Sequence, residues 1–337
     1  MKYAIRVTSM IGIAISTLAM SENRLYAQGA GPNAAPNPYK MQENWAQLPS
    51  DRKFGSAIKV QVDHSDGKSI WVFDRCGSTE CANSMIAPIQ KFDSSGKFQK
   101  TFGADMFAVP HGFYVDADGN VWAGDQIAQN GKGADLIKFN PDGRVLMTLG
   151  KPGMPGNGSD YLSAVSAVVV APNGDIYVAD GHGSGTNDRI VKFSKDGKFI
   201  TQWGKHGKAP GEFDTPHGIA LDSAGLVYVA DRANNRIQIF APDGKFVAEW
   251  KQFGRPSDIA IDKKDMIYVA DSQSDASNNP GFQRGVRIGS AKDGKVMAFI
   301  PEPSAETGAP EGVGVDDAGN VYGGWVAKMN VRRFVQQ

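Results

Sequence analysis

Hydrophobic positions in this chain fall into short runs that are separated by turns containing glycine, aspartate or asparagine. Between residues 215 and 250 the runs occupy 218–221, 227–230, 236–240 and 246–250. Their Val, Ile, Tyr and Phe content favours β-strands, and an Asp-Gly pair before the last run indicates a hairpin turn. This stretch therefore predicts one four-stranded antiparallel meander.

The same pattern recurs along most of the chain. The residue that follows the entry proline, or its equivalent, falls at positions 58, 111, 166, 217, 257 and 311, in steps of 53, 55, 51, 40 and 54. Repeats of about 40 to 50 residues with four strands each are typical of propeller blades. We therefore predict an all-β protein, a six-bladed β-propeller with four-stranded antiparallel blades.

The last repeat supplies only three clear strands, at 313–315, 321–322 and 329–335. A propeller ring must close, because an unpaired strand edge invites association. We expect the missing outer strand to come from the N-terminal side, around residues 44–48, so that the propeller domain covers residues 44–337.

The N-terminal region has the features of an export signal. Lys2 and Arg6 precede an apolar run at 7–20, and Ala27 offers a cleavage point, which predicts a signal peptide over residues 1–27. An uncleaved anchor is the alternative, but the run is short for a membrane span. Residues 28–43 indicate a flexible leader. We expect a periplasmic or secreted protein with no membrane span in its mature form.

The charge balance limits the kinds of partner that we expect, and the cysteine content indicates the redox compartment. The chain has 36 basic and 36 acidic residues and no basic stripe, so we expect no nucleic-acid partner. Its two cysteines, Cys76 and Cys81, are close in sequence and predict a local disulfide in an oxidising compartment. We expect a monomer.

The repeat also predicts a site at one mouth of the central channel. The innermost strand of each blade lines the axis, so the residues that open these strands should converge; they are Ile58, His111, Ser166, His217, Ser257 and Glu311. The two histidines and the glutamate belong to blades two, four and six, one third of a turn apart. This set suits Zn²⁺ or another divalent first-row metal. Alternatively, the histidines cap local backbone groups and the glutamate is a solvated loop acid.

A second group follows the aspartate that ends the second strand of a blade. Arg75 and Arg232 would favour a small carboxylate-bearing or peptidic ligand, because guanidinium groups match carboxylates. The alternatives are a surface loop charge for Arg75 and an ion pair with Asp231 or Asp271 for Arg232. His182 lies in a glycine-rich loop over the same rim, where it is either a general acid/base or a simple loop residue.

These residues carry a resemblance to a known family. Pro110-His111-Gly112, Pro216-His217-Gly218 and the segments 180–193, 197–204 and 229–238 resemble the NHL-repeat propellers of the peptidyl-α-hydroxyglycine α-amidating lyase (peptidylamidoglycolate lyase) family. The resemblance covers most of residues 58–334. It implies that His111 and His217 match two zinc-binding histidines and that Glu311 stands in place of the third.

The resemblance also assigns the remaining positions. Arg75 and Arg232 look like two family arginines, and His182 stands where the family has a catalytic tyrosine. Gly312 takes the place of an acid that holds calcium, which weakens the expectation of structural Ca²⁺.

The family reaction splits a peptidyl-α-hydroxyglycine into a peptide amide and glyoxylate. By resemblance, we expect a metal-dependent lyase in which the metal acts on the hydroxyl as a Lewis acid, an arginine holds the carboxylate and His182 replaces the tyrosine base. The alternative is a non-enzymatic NHL-repeat module that binds ligands or proteins, since the fold alone does not choose. A sugar lactonase-type propeller would need a Glu/Asn/Asp calcium set that the inner strands do not supply.

Overall fold

The chain forms a propeller in the computed structural model, which describes residues 31–302 and 308–337. The predicted signal peptide at 1–27 lies outside the described residues. Within them there are 24 strands and one short 3-10 helix, Arg232–Asn234, and no helix has the length and apolarity that a membrane span requires. The strands form six four-stranded sheets with antiparallel pairing, which confirms the predicted all-β, six-bladed fold.

The first strand, β1 (Tyr39–Gln42), precedes five blades whose strands follow one another in chain order. Blade 1 comprises β2 (Ala57–Val62), β3 (Ile70–Asp74), β4 (Ile89–Phe92) and β5 (Phe98–Phe102). Blade 2 comprises β6 (Pro110–Val115), β7 (Val121–Asp125), β8 (Asp135–Phe139) and β9 (Val145–Gly150). Blade 3 comprises β10 (Val165–Val170), β11 (Ile176–Asp180), β12 (Arg189–Phe193) and β13 (Phe199–Trp203).

The ring continues with two further blades and a composite one. Blade 4 comprises β14 (Pro216–Leu221), β15 (Val227–Asp231), β16 (Arg236–Phe240) and β17 (Phe246–Trp250). Blade 5 comprises β18 (Pro256–Ile261), β19 (Met266–Asp271), β20 (Gly285–Ser290) and β21 (Val296–Pro301). Blade 6 comprises β22 (Pro310–Val315), β23 (Val321–Trp325), β24 (Asn330–Gln336) and, as its outer strand, β1.

Closure by an N-terminal strand is confirmed, but the predicted segment is wrong. The closing strand is β1, which pairs with β24 from Tyr39↔Gln336 to Gln42↔Arg333, rather than residues 44–48. Trp45 is instead a core residue between blades 6 and 1, with its ring 5.0 Å from that of Tyr322. The apolar signal at this place therefore came from core packing and not from a strand.

The boundary of the propeller moves with this strand. The compact unit begins at Pro32, and the backbone carbonyl of Pro36 accepts a hydrogen bond from Phe299 N–H. Residues 32–43 are thus within the propeller, whereas the sequence placed them in a flexible leader that ended at residue 43.

Apolar side chains pack between neighbouring blades around the ring. One buried cluster lies at each seam, including the one between blades 6 and 1. The second strands β3, β7, β11, β15 and β23 are buried at every residue, because each is covered on both faces by adjacent blades. Burial of such strands on both faces is the main stabilising contribution in this all-β fold.

A buried aspartate ends the second strand of blades 1 to 5 and anchors the loop that leads into the inner strand. These anchoring aspartates are Asp74, Asp125, Asp180, Asp231 and Asp271. Each accepts backbone N–H groups of that loop; the donors are Gly55, Ala108, Ser163 with Ala164, Asp214 and Arg255. Since these loops carry the residues of the channel mouth, the anchors fix the geometry there. The predicted disulfide is present between Cys76 and Cys81, next to the anchor of blade 1.

Candidate functional site

The residues that open the inner strands are set apart by a shared irregularity of the backbone. In β6, β14 and β22 the entry proline and the following glycine pair with the second strand, and the register shifts at the residue between them. Such a bulge re-aims the side chain of its extra residue. That residue is His111, His217 or Glu311.

The structure brings these three side chains together with a fourth. The candidate ligand atoms of His111, His182, His217 and Glu311 all lie within 4.8 Å of one another. Glu311 Oε1 is 3.1 Å from His217 Nε2 and 3.9 Å from His111 Nε2. We call these four residues the channel-mouth cluster. His182 comes from the loop after β11, outside the repeat position, so reasoning from blade parity did not place it with the others.

Backbone carbonyls of the next blade fix the tautomers of two imidazoles. His111 Nδ1 lies 2.8 Å from the Ser166 carbonyl oxygen, and His217 Nδ1 lies 2.5 Å from the Ser257 carbonyl oxygen. A carbonyl only accepts, so both Nδ1 atoms carry the proton and both Nε2 atoms keep a lone pair that can accept a hydrogen bond or bind a metal. This is the orientation that metal-binding histidines adopt.

The cluster is poised with neutral imidazoles and a charged carboxylate at neutral pH. Burial lowers the pKa of His111 and His217 well below 6.5, and the charge of Arg232 lowers that of His217 further. Burial and Arg232 also lower the pKa of His182 to about 4. Burial alone would raise the pKa of Glu311, but Arg232 and His111 outweigh it and the pKa falls below 4.5.

The two predicted arginines flank the cluster. Arg232 Nη1 lies 2.7 Å from His217 Nε2 and 3.2 Å from Glu311 Oε1, so its partner is neither Asp231 nor Asp271. Arg75 is half-buried; it donates to the Pro110 carbonyl and, over 3.1 Å, to Gln126 Oε1. The charge of Arg75 also helps to lower the pKa of Glu311. Both guanidinium groups therefore act on the same carboxylate.

The cluster fits a divalent first-row metal. His111 Nε2 is buried and has no hydrogen-bond partner among residues 31–302 and 308–337, so it lacks the cation or donor that would satisfy it. Three imidazole nitrogens and one carboxylate are a donor set that Zn²⁺ and its neighbours accept. The guanidinium of Arg232 contacts two of these four donors, and a metal on the same atoms would replace that contact.

One feature of the channel was missed in the sequence. Lys59 Nζ lies 2.5 Å from Asp258 Oδ1, and both side chains are almost fully buried. Asp258 Oδ2 also accepts the backbone N–H of Val313. The pair joins the inner strands of blades 1 and 5 across that of blade 6. The signal was a charged residue at a repeat position where the other blades have glycine or alanine, namely Gly112, Ala167, Gly218 and Gly312.

Comparison with known proteins agrees with the repeat and with the lyase resemblance. A family model of the NHL repeat matches residues 213–240. The chain is 33% identical over 211 residues to rat (Rattus norvegicus) peptidylglycine alpha-amidating monooxygenase, covering 59% of this chain and 21% of that protein. It is 32% identical over 238 residues to peptidyl-alpha-hydroxyglycine alpha-amidating lyase 2 of Drosophila melanogaster, covering 64% and 55%.

A third relative has a name without an activity. The chain is 31% identical over 201 residues to human (Homo sapiens) NHL repeat-containing protein 3, covering 58% of this chain and 54% of that protein. The chain thus spans about half or less of the length of these curated relatives.

Among solved structures, the fold is similar to that of an inactive virginiamycin B lyase variant from Staphylococcus aureus with quinupristin. The TM-score is 0.55 at 17% identity, and 89% of each chain is covered. At this identity the likeness shows the propeller fold alone. Taken together, the findings show a six-bladed β-propeller that carries an NHL repeat at residues 213–240 and is similar in sequence to the peptidyl-α-hydroxyglycine α-amidating lyases.

Proposed function

We propose that this protein is a metal-dependent lyase that cleaves a carbon–nitrogen bond in a small, carboxylate-bearing or peptidic substrate of the α-hydroxyglycine type. The observation that supports this most is the channel-mouth cluster, in which three neutral imidazoles and one carboxylate meet within 4.8 Å beside two arginines. The names of the fly and rat relatives support the substrate class.

His111, His217 and Glu311 would hold the metal, with His182 as a fourth donor. Zn²⁺ is the first choice, because its preferred ligands are those that the cluster offers. A divalent metal in this place would supply Lewis-acid chemistry by lowering the pKa of the substrate hydroxyl. The carbonyls of Ser166 and Ser257 keep His111 and His217 in the binding tautomer.

The arginines would recognise the substrate carboxylate. Arg75 is half-buried at the mouth and donates to a neutral carbonyl and a neutral amide, which a carboxylate can replace as the better acceptor. Arg232 is 7% exposed and bound to Glu311, so it serves the inner side of the same site. Two cations on opposite sides would orient the reacting carbon toward the cluster.

The reaction needs one proton to move and one bond to break. The hydroxyl loses its proton, the bond between the α-carbon and the amide nitrogen breaks, and the nitrogen takes up a proton to leave as an amide with glyoxylate as the second product. His182, with a pKa of about 4, is neutral at pH 7 and takes a proton only from a hydroxyl that has become acidic. It therefore acts either as this base or as the fourth metal donor, and not as both at once.

The second candidate is a binding module without catalysis. The name of the human relative mentions the repeat and no enzymatic activity, which is compatible with this alternative. Against it stands the burial of the imidazole nitrogens: ligand-binding rims have no need for an unpartnered Nε2 at zero exposure. The enzyme is the better supported of the two.

The test is the metal content of the purified protein, by elemental analysis after incubation with Zn²⁺, together with glyoxylate release from an α-hydroxyglycine peptide. We expect about one Zn²⁺ per chain. His217→Ala and Glu311→Ala should lose both the metal and the activity. His206→Ala, whose side chain is 69% exposed and paired with Asp188 outside the cluster, is the matched control. Wild-type protein that takes up no metal would favour the binding module.

A further inference from the structure

Blade 2 lacks an arginine beside its anchoring aspartate, whereas blades 1, 3, 4 and 5 each have one there. In blades 3, 4 and 5 a buried arginine neutralises the anchoring aspartate, with contacts of 2.9 Å for Arg189–Asp180, 2.7 Å for Arg236–Asp231 and 3.3 Å for Arg287–Asp271. In blade 1, Arg52 lies 3.8 Å from Asp74. Four of the five anchors are thus compensated by a guanidinium of the chain.

Blade 2 has a carboxylate where this guanidinium is expected. Its third strand, β8, begins with Asp135, while the third strands of blades 3 and 4 begin with Arg189 and Arg236. Asp125 and Asp135 are 1% and 4% exposed. Arg75, whose charge lowers the pKa of Asp125, donates to the Pro110 carbonyl and to Gln126 instead. The charge of Asp135 acts on Asp125, and neither carboxyl group forms an ion pair with a basic side chain among the residues that the structure describes.

Asp125 is also poorly satisfied by hydrogen bonds. Its Oδ2 accepts the N–H of Ala108 at 2.9 Å, whereas its buried Oδ1 has no hydrogen-bond partner of normal geometry among the residues that the structure describes. The equivalent Asp180 receives bonds from two backbone amides, an asparagine and an arginine. A buried carboxylate oxygen without a partner is costly and indicates that something else binds there.

The electrostatics agree with a missing positive charge. Burial, with a further contribution from Asp135, raises the pKa of Asp125 to about 8. Burial also raises the pKa of Asp135 to about 6. Arg75 opposes this shift at Asp125 only weakly. A cation that binds both groups would offset the free-energy cost of burying two carboxylates, which no side chain fully offsets.

We propose that Asp125 and Asp135 form a second cation site, for a hard divalent ion such as Ca²⁺, in the place that arginine side chains occupy in the neighbouring blades. Carboxylate oxygens favour Ca²⁺ over zinc-like metals, which prefer the nitrogen donors of the channel mouth. Because Asp125 anchors the loop that leads to His111, the bound ion stabilises the blade that supplies one of the channel-mouth histidines. The site does not depend on the proposed lyase function.

The experiment measures Ca²⁺ binding and thermal unfolding of chelator-treated full-length protein, with no activity assay involved. We expect about one Ca²⁺ per chain by calorimetric titration, and a rise of about 5 °C in the unfolding midpoint at a hundredfold excess over Kd. Asp135→Asn should abolish both effects. Repeating the titration on Glu311→Gln protein shows that the ion is not bound at the channel mouth.

Two further variants complete the test. Asp135→Arg restores the arrangement of blades 3 and 4, so its unfolding midpoint should not respond to Ca²⁺. Asp142→Asn removes an acid of the same blade that is 81% exposed, and it should behave as wild type. The proposal is overturned if wild-type protein binds no Ca²⁺, or if Ca²⁺ stabilises wild type and Asp135→Asn equally. The proposal is also overturned, in favour of a proton shared by the two carboxyl groups, if wild-type protein does not respond to Ca²⁺ but loses stability as the pH rises from about 4 to about 8.

Discussion

Two imidazoles of the channel-mouth cluster owe their orientation to the ring rather than to neighbouring side chains. The carbonyls that hold His111 and His217 belong to Ser166 and Ser257, which occupy the same repeat position in the following blade. The bond uses the backbone, so the identity of the serine matters little to it. A metal-binding tautomer is therefore available at any blade that places a histidine at the bulge.

Substitution of Arg232 tests the proposed recognition of a carboxylate separately from the proposed binding of a metal. We expect Arg232→Ala to weaken the binding of glyoxylate about tenfold to a hundredfold, because a charge-assisted hydrogen bond contributes about 1.5–3 kcal/mol. Zn²⁺ binding should be kept or strengthened, since the guanidinium no longer competes for His217 Nε2 and Glu311 Oε1. Calorimetric titration of each ligand checks both results.

The control for this variant is Arg144→Ala, which removes an exposed arginine at the outer side of blade 2. Unchanged glyoxylate affinity in Arg232→Ala would take Arg232 out of the substrate site. A simultaneous loss of Zn²⁺ would show instead that the guanidinium holds Glu311 in its binding position.

For individual residues, the sequence predicted that three of the four members of the channel-mouth cluster converge. His111, His217 and Glu311 follow from repeat position and blade parity, which depend only on the regular geometry of the ring. His182 lies in a loop in which its own backbone N–H donates to Thr186 Oγ1, so its arrival within 4.8 Å of the others could be seen only in the folded structure.

Among the strands, those that repeat from blade to blade were predicted correctly, whereas the closing strand was not. Blade strands repeat in pattern, so their number and pairing can be predicted from the sequence. The closing strand β1 has no repeat partner; its sequence, Tyr39–Gln42, alternates between buried and exposed positions over only four residues. Trp45 was the stronger apolar signal nearby, and it belongs to the core of the seam.

The role of β1 can be tested at its one large buried side chain. Tyr39 is 9% exposed and packs in the core between blades 5 and 6. We expect Tyr39→Ala to lower the free energy of unfolding by about 3 kcal/mol, as for other aromatic truncations in cores. Urea denaturation provides the measurement, and Lys40→Ala, at an exposed position of the same strand, is the control. Equal stability of the two variants would mean that β1 is not needed for closure.

For the whole molecule, the buried pair Lys59–Asp258 links three blades at once. It joins blades 1 and 5 directly and holds blade 6 through Val313 N–H, two residues from Glu311. The sequence carried a signal for each charge at this repeat position, but their pairing across blade 6 was seen only in the folded ring.

Replacing only one partner should be costly. We expect Lys59→Met to lower the free energy of unfolding by about 3–5 kcal/mol, because it leaves Asp258 charged and buried without its cation. The double variant Lys59→Met/Asp258→Asn should recover much of this loss, as a double-mutant cycle from urea denaturation can show. If the single variant is as stable as wild type, the ion pair does not contribute to the stability of the propeller.

The same ion pair also affects how small molecules can enter and leave the channel. Lys59 and Asp258 each follow a channel-mouth position in the sequence and are almost fully buried, so passage between their inner strands would require separation of a cation and an anion that lie 2.5 Å apart. In the proposed reaction, substrate and product would both use the channel mouth where the cluster lies. Glyoxylate is itself a carboxylate, so under the proposed function it would compete with the substrate for Arg75 and Arg232 and would slow the enzyme.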